Sequence, residues 1–442
     1  MTQTASAPPA TAPPPGQVAL QQPSASTATF TPAATSTIQA WFAGTPGRMR
    51  ALLILTAVMA VLFGLAAAQG FQQSDGALQR AEANTAQLVR VQAIHTSLVS
   101  ANADATNAFL VGGLEPPAQR QHFVDSMTTA SKLVAEAATA QPADQQALGE
   151  LNATLLTYQG LIEQARANNR QGLPIGSQYL KDANASLQND SLPLVSALVK
   201  ANEERVSTEF DGVSRGNIWL LVGGLLTLVV LGFTMIWLAK RTHRYVNLPL
   251  AFAGVLVLLT MLVGGTSLAS ASGSAKDTRS HSYADTLAMS RARIAAYDAK
   301  SNESLTLIAR GSGAAFEKDW VDSAKTVDDQ LAIVAGTAPQ AQQPWTAYKA
   351  NHTEIRKLDD GGNWDQAVPK AIAATGTSAN TTFAAFDTAT SKKLTDFSTA
   401  TRGELTDARN GLPPIGWLGI PIGIVAALLA AWGLSQRLGE YR

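Results

Sequence analysis

Five cationic side chains are the candidate docking residues of this sequence. They lie in two short polar segments, "LAKRTHRYV" (238–246) between two long apolar runs and "SQRLGEYR" (435–442) at the end of the chain. The five residues are Lys240, Arg241, Arg244, Arg437 and Arg442. Ammonium and guanidinium groups form charge-assisted hydrogen bonds with carboxylate or phosphate groups of a partner. Both segments are too short to form a domain, so we predict a docking surface and no active site.

The sequence lacks the residue patterns of the common enzyme classes. It has no cysteine, which excludes disulfides, thiol catalysis and cysteine-bound metals, and its five histidines never occur in HxxxH spacing. It contains no GxxxxGK[ST] or HExxH motif. Acidic and basic residues balance at 33 each, which argues against nucleic-acid binding. We predict a protein that is not an enzyme and has no cofactor and no metal.

Four stretches without Asp, Glu, Lys, Arg or His predict a membrane protein. They cover residues 51–74, 216–239, 245–275 and 410–436. Each contains an apolar core near the roughly 20 residues that cross a bilayer. The predicted spans are 51–70, 217–239, 249–270 and 415–435. The first also resembles a signal peptide, but its long apolar run and the chain that precedes it favour an uncleaved anchor.

The cations next to the spans predict the orientation. Arg48 and Arg50 precede the first span, the basic loop 240–248 joins the second and third, and Arg437 follows the fourth. The positive-inside rule places all three in the cytoplasm. The chain is then a multi-pass plasma-membrane protein with both termini cytoplasmic. The charge-free, Pro-, Ala- and Thr-rich segment 1–47 is predicted to be a disordered cytoplasmic tail, and 436–442 a short one.

The remaining segments, 71–215 and 271–411, predict two extracytoplasmic helical bundles. Apolar residues recur at helical spacing, and turn signals divide each segment three times, at 112–117, 141–144, 168–176, 310–313, 336–339 and 359–363. We therefore expect four helices per bundle, with long outer helices that continue directly from the spans. The fold class is an all-α membrane protein.

The two halves also appear in the sequence as an internal repeat. "ANADAT" (101–106) aligns with "SNESLT" (301–306), and "FVDS" (123–126) with "WVDS" (320–323). Asn102 and Asn302 are then equivalent, and we interpret them as buried amides that fix helix register in preference to ligand contacts. Several arginines could bind a carboxylate, but no one of them stands out as a site: Arg90, Arg120, Arg291, Arg293 and Arg310.

This layout has two resemblances. Each bundle resembles the four-helix sensor domain of bacterial chemoreceptors. The whole chain, with its charge-free tail, paired bundles, four spans, lack of cysteine and closing "WGLSQRLGEYR", resembles the GlnX family of actinobacterial membrane signalling proteins. That resemblance implies a solute-binding lipoprotein outside (GlnH), which recognises aspartate or glutamate. It implies a soluble Ser/Thr kinase inside (protein kinase G).

Three functions follow as hypotheses. The first is a transmembrane relay, by helix shifts, of amino-acid availability from that lipoprotein to that kinase. The second is a receptor whose bundles bind a small ligand directly. The third is a membrane scaffold without a sensing role. The sequence leaves open whether the chain forms a homodimer or packs its two bundles against each other.

Overall fold

The computed structural model describes residues 44–111, 114–242 and 246–439. The chain divides into two units, Met1–Ala51 and Leu52–Arg442. The described residues of the first unit form the start of a helix, and all contacts below belong to the second. Most of the predicted tail 1–47, as well as Arg244 and Arg442, lies outside the described residues. The all-α prediction is confirmed, because the described residues form helices and turns without a strand.

The first half of the chain has five helices. They are α1 Gly44–Val111, α2 Pro117–Ala140, α3 Gln145–Arg170, α4 Ile175–Ser186 and α5 Leu192–Thr242. A π-helical turn, Leu187–Ser191, joins α4 to α5, so one helical stretch runs from the bundle into the second span. Four helical rods therefore form this bundle, as the turn signals predict.

The second half has seven helices. They are α6 Leu248–Ser280, α7 Ser282–Ile308, α8 Ala314–Ile333, α9 Gln342–Asp360, α10 Trp364–Ile372, α11 Ala379–Asn410 and α12 Ile415–Gly439. All six predicted breaks coincide with helix ends. Two starts have clear side-chain caps: Asn247 accepts a hydrogen bond from the Leu250 amide at α6, and Ser378 and Thr381 form a capping box at α11.

The expectation of outer helices that continue directly from the spans is wrong for the second half. Pro413 and Pro414 separate α11 from α12, because proline lacks an amide proton and its ring clashes with the preceding turn. At His281, between α6 and α7, the ring Nδ1 lies 2.9 Å from the Asp277 carbonyl, a local contact that competes with helix continuation. The short α10, which contains Pro369, is an additional helix.

Four helical stretches of the described chain are long and apolar enough to cross a membrane, in agreement with the four predicted spans. Glycines bring them into close contact. A Cβ atom on Gly64 of α1 would lie 2.5 Å from the Gly419 carbonyl oxygen and 2.8 Å from the Gly423 Cα of α12. A Cβ on Gly70 would lie 2.5 Å from the Gly216 carbonyl oxygen of α5. The small residues thus let α1 pack directly against the backbones of two other spans.

The two halves pack against each other along the bundles. Each bundle has its own apolar core, and Leu110 of α1 belongs to the core of the second. A third core next to the spans contains residues of both halves, among them Phe210 and Tyr283, whose ring centroids are 5.7 Å apart. Arg409 Nε lies 2.9 Å from Asp75 Oδ1 across the same region. The bundles are therefore joined by more than the loop 240–248.

Candidate functional site

The predicted docking cations that the structure describes lie at the ends of spans. Lys240 and Arg241 are exposed in the last turn of α5, and Arg437 is half-buried near the end of α12. Asn247, at the start of α6, donates a hydrogen bond of 2.7 Å to the Gly433 carbonyl of α12. This bond holds the end of the basic loop beside the last helix, so the two cationic segments are neighbours.

Asn102 is a buried and fully engaged amide. Its Nδ2 donates to Asn184 Oδ1 and to Ser301 Oγ, both at 2.8 Å, and its Oδ1 accepts from the Tyr158 hydroxyl at 3.3 Å. The bond to Ser301 joins the two halves. This arrangement fits the interpretation of an amide that fixes helix register. Asn302 is also buried, at 9% exposure.

The arginines that could have bound a ligand carboxylate already have partners within the protein. Arg293 Nη2 lies 2.8 Å from Asp387 Oδ1, and Arg310 stacks on the Trp364 ring at 4.0 Å. The others are paired as well, Arg90 with Gln87, Arg120 with Glu115 and Arg291 with Glu203. Arg293 and Arg291 thus form short ion pairs within the protein, whereas the Arg120 contact, at 3.8 Å, is longer.

A cavity of about 810 Å³ lies between the two bundles, and we call it cavity A. Its walls are α1 and the start of α2 from the first half, and α7 and the start of α11 from the second. The residues that line cavity A include Asp104, Asn107, Tyr297, Lys300, Phe383 and Asp387. This volume falls within the range of small-molecule sites in proteins. Because cavity A separates the two halves, a ligand there would contact both.

Asp104, on α1, is the most unusual acid of cavity A. Burial raises the pKa of its carboxyl to about 7, and the nearby Asp387 and Glu115 carboxylates raise it further, whereas Arg166 opposes them. None of the described residues donates a hydrogen bond to this carboxylate. A half-buried carboxylate with a raised pKa and no donor among the described residues is unusual, and such groups are concentrated at functional sites.

Asn107 lies one turn above Asp104 and is 6% exposed. Its Nδ2 donates to Asn380 Oδ1 at 3.2 Å, and Asn380 Nδ2 in turn donates to the Ile372 carbonyl at 2.9 Å. This chain of bonds fixes the orientation of both amides. It leaves Asn107 Oδ1 buried without a partner in cavity A. An acceptor that lacks a donor calls for a ligand group that donates.

The opposite wall is tightly bonded. Asp387 Oδ1 accepts from the Tyr297 hydroxyl at 2.6 Å, in addition to its ion pair with Arg293. The edge of the Tyr297 ring packs against Phe383, with centroids 5.0 Å apart. This wall is thus rigid and combines one neutralised carboxylate with aromatic surface.

Lys300 lines cavity A but belongs to a buried ion network in the second bundle. Its Nζ lies 2.7 Å from Glu303 Oε1, and Glu303 Oε2 is 3.0 Å from His352 Nδ1. His352 Nε2 lies 3.2 Å from Glu317 Oε1, and the imidazole stacks on Trp320 at 3.6 Å. Lys300 therefore offers little free charge to a ligand in cavity A.

A second interbundle cavity, cavity B, has about 450 Å³ and lies between α1, α5, α7 and α8. The repeated "VDS" motif contributes Asp125 and Ser126 to cavity A and Asp322 and Ser323 to cavity B. The two cavities thus occupy equivalent places of the repeat. Their chemistry differs, because the residue 200 positions after Asp104 is Ser304.

Sequence reasoning did not select Asp104 or Asn107, although both lie next to the quoted repeat segment "ANADAT". The available signal was a carboxylate and an amide beside the apolar stripe of α1. Their significance depends on α11, which follows in the chain more than 250 residues later. Without that contact the two side chains resemble ordinary solvated residues.

Comparison with known proteins identifies the first bundle. Residues 77–211, from the middle of α1 to α5, match the family model of the actinobacterial sensor domain. The match covers 135 of the 442 residues, so this likeness concerns the first bundle. No curated protein matches it, and no solved structure does. The matched residues include Asp104 and Asn107, so the first-half wall of cavity A lies within the region that is similar to a sensor domain.

Proposed function

We propose that this protein is a non-enzymatic transmembrane signal relay. It passes amino-acid availability, of the aspartate or glutamate type, from an extracytoplasmic solute-binding lipoprotein to a cytoplasmic Ser/Thr protein kinase. The sensor-domain match supports the sensing role, and the resemblance in layout supports the two partners. The bundles lie outside the cell and both termini inside.

One observation supports the relay above the others: α1 runs from the first span to cavity A without a break. Asp104 lies 34 residues beyond the end of the predicted span, which at 1.5 Å per residue is about 50 Å along one helix axis. Any event that changes the packing of the bundles therefore acts on the same rigid element that contacts α5 and α12 in the membrane. A shift of α1 would change the arrangement of the cytoplasmic span ends.

The output belongs to another protein, bound at the cytoplasmic ends of the spans. Lys240 and Arg241 are exposed there, beside the last helix. An acidic surface of the kinase would complement them. We propose these residues, with Arg244, Arg437 and Arg442, as the docking surface.

A direct small-ligand receptor is the second candidate, and cavity A favours it. A relay that only transmits contact with a binding protein has no need of an unpartnered acceptor buried between its bundles. The two functions are compatible, since a ligand in cavity A and a lipoprotein on the bundles could both bias the same helices.

The test is a crosslinked pull-down of the tagged full-length protein from native membranes, with and without added aspartate or glutamate. We expect a solute-binding lipoprotein and a Ser/Thr kinase among the crosslinked proteins. The double variant Lys240→Ala/Arg241→Ala should lose the kinase and keep the lipoprotein. Variant Lys276→Ala/Arg279→Ala, with two cations removed at the bundle end of α6, is the matched control. Recovery of envelope-assembly proteins alone, whatever the amino acid, would contradict the relay.

A further inference from the structure

Cavity A offers acceptors that no donor satisfies. The half-buried Asp104 carboxylate accepts no hydrogen bond from the described residues. Asn107, which also lines cavity A, has its Oδ1 buried without a partner. A third acceptor, Gln119 Oε1, is also unpaired at the start of α2. Three oxygen acceptors on one side of a cavity are complementary to a ligand group with several N–H donors.

The charges around cavity A favour a cationic group. Lys300 and Arg293, the basic residues closest to its inner wall, are bonded to Glu303 and Asp387. Arg166, the cation that lowers the pKa of Asp104, is paired with Glu115 and Glu163, so Asp104 has no bonded counter-ion among the described residues. No group of three or more His, Cys, Asp or Glu in the described chain could hold a metal ion, so an organic cation fits better than a metal.

We propose that cavity A binds a small molecule with a primary ammonium group, which donates hydrogen bonds to the Asp104 carboxylate and to Asn107 Oδ1. The three protons of an ammonium group match these acceptors and leave one for Gln119. Tyr297 and Phe383 provide an aromatic wall for the carbon chain next to the ammonium. The ligand replaces the water that a half-buried carboxylate would otherwise need.

This inference extends beyond the proposed relay, because it concerns a site on the chain itself and no partner. Occupancy of cavity A would bridge α1 and α11, which belong to different halves. It would therefore stabilise one packing of the bundles. A primary amine of this size could be a diamine or an α-amino acid, and the two are distinguished by experiment.

The experiment measures thermal unfolding of the full-length protein in lipid nanodiscs at pH 8. Putrescine is compared with 1,4-butanediol, and L-aspartate with succinate, so that each pair differs in its amino groups. We expect at least one amine to raise the Tm by about 1–2 °C at tenfold its Kd, while its amine-free counterpart has no effect. A response to putrescine alone identifies a diamine-type ligand, and a response to L-aspartate identifies an α-amino acid.

Variant Asp104→Asn should lose at least tenfold in affinity for the amine. Its Tm without ligand should equal or exceed that of the wild type, because the substitution removes a half-buried carboxylate whose pKa is raised to about 7. Loss of the response is therefore distinguishable from misfolding. Asp298→Asn is the matched control, since burial also raises the pKa of Asp298 to about 7 but this residue lines cavity B.

Two results would overturn the proposal. One is an absence of stabilisation by both amines in a protein that unfolds cooperatively. The other is equal stabilisation of the wild type and of Asp104→Asn, which would place the amine elsewhere. Neither result bears on the partners, which the pull-down tests separately.

Discussion

The buried ions of the second bundle show how single residues stabilise this protein. Burial raises the pKa of Glu303, but Lys300 and His352 more than offset this effect, so the pKa lies below its usual value of 4.5. Burial lowers the pKa of His352, but the hydrogen bonds that its ring donates to the Glu303 and Glu317 carboxylates overcome this effect and raise the pKa above 6.5. Both shifts favour the charged forms of Glu303 and His352 in the folded protein, and each of these charges faces one of opposite sign.

These shifts predict a pH optimum of stability. The contribution of His352 is complete below pH 6.5 and is lost as the pH rises through its higher folded pKa. The contribution of Glu303 is complete above pH 4.5 and is lost as the pH falls through its lower folded pKa. We expect the Tm of the second bundle to be highest between these values. His352→Gln should lower the Tm at pH 6 by an amount that corresponds to about 2 kcal/mol and flatten the decline above pH 6.5.

The measurement is a series of thermal unfolding curves from pH 4 to pH 9, with fluorescence of Trp320 and Trp345 as the signal from the second bundle. Variant His122→Gln is the control, because His122 lies at the entrance of cavity A and outside the ion network. A His352→Gln curve parallel to that of the wild type would show that His352 does not titrate with folding.

Among single residues, the pattern of the sequence located the apolar core better than the site. Val91, Ile94 and Leu98 recur at helical spacing in the sequence and are fully buried. Asp104 and Asn107 were missed because their significance depends on a contact with α11 and on the absence, among the described residues, of hydrogen-bond donors to their oxygen atoms. Spacing along one helix cannot show that a carboxylate has no donor.

At the scale of elements, the helices of the two halves meet the membrane differently. In the first half α1 and α5 continue from the candidate span into the bundle, whereas breaks at His281 and at 411–414 separate the candidate spans of the second half from its bundle. Glycine and proline signals predicted most helix ends, since they act locally through backbone sterics. The break at His281 has no such signal, because it rests on side-chain contacts with carbonyls of the preceding turn.

The close contact of α1 with α12 gives a prediction at this scale. Gly64→Leu should lower the Tm by several degrees, because even a Cβ atom would lie within 3 Å of the α12 backbone, and such overpacking costs about 1–3 kcal/mol. The measurement is thermal unfolding in nanodiscs. Gly232→Leu, in the span of α5 with nothing within 4 Å of its Cβ position, should leave the Tm unchanged. Equal effects of the two variants would mean that α1 and α12 are not in contact.

At the scale of the whole molecule, the second half packs on the first as one subunit of a homodimer packs on the other. Asn102 and Ser301, which are one position from being repeat equivalents, form a hydrogen bond, as expected for helices related by an approximate twofold axis. The sequence predicted the repeat but left open whether the bundles pack on each other. Packing between distant segments depends on surface complementarity that no local pattern encodes.

This packing predicts that the covalent loop is dispensable for assembly. Fragments 1–243 and 244–442, co-expressed with a tag on the first, should copurify from membranes through the bundle and span contacts. The triple variant Asn102→Ala/Phe210→Ala/Leu110→Ala should reduce the recovery at least tenfold, since it removes contacts at the middle, base and top of the interface. Leu156→Ala, an exposed residue of α3, is the control. Failure of the unmodified fragments to copurify would contradict an extensive interface.

The chemical difference between cavity A and cavity B determines the shape of the dose–response curve for the ligand. Cavity A has the free carboxylate and cavity B has its own, differently placed charges, so one chain takes up one amine at the Asp104 position. Occupancy of a single site per chain follows a hyperbola with a Hill coefficient of one and rises from 10% to 90% over about an 80-fold range of ligand concentration. Such a dose–response curve is graded, so the output would follow the supply of the amine continuously and would have no threshold.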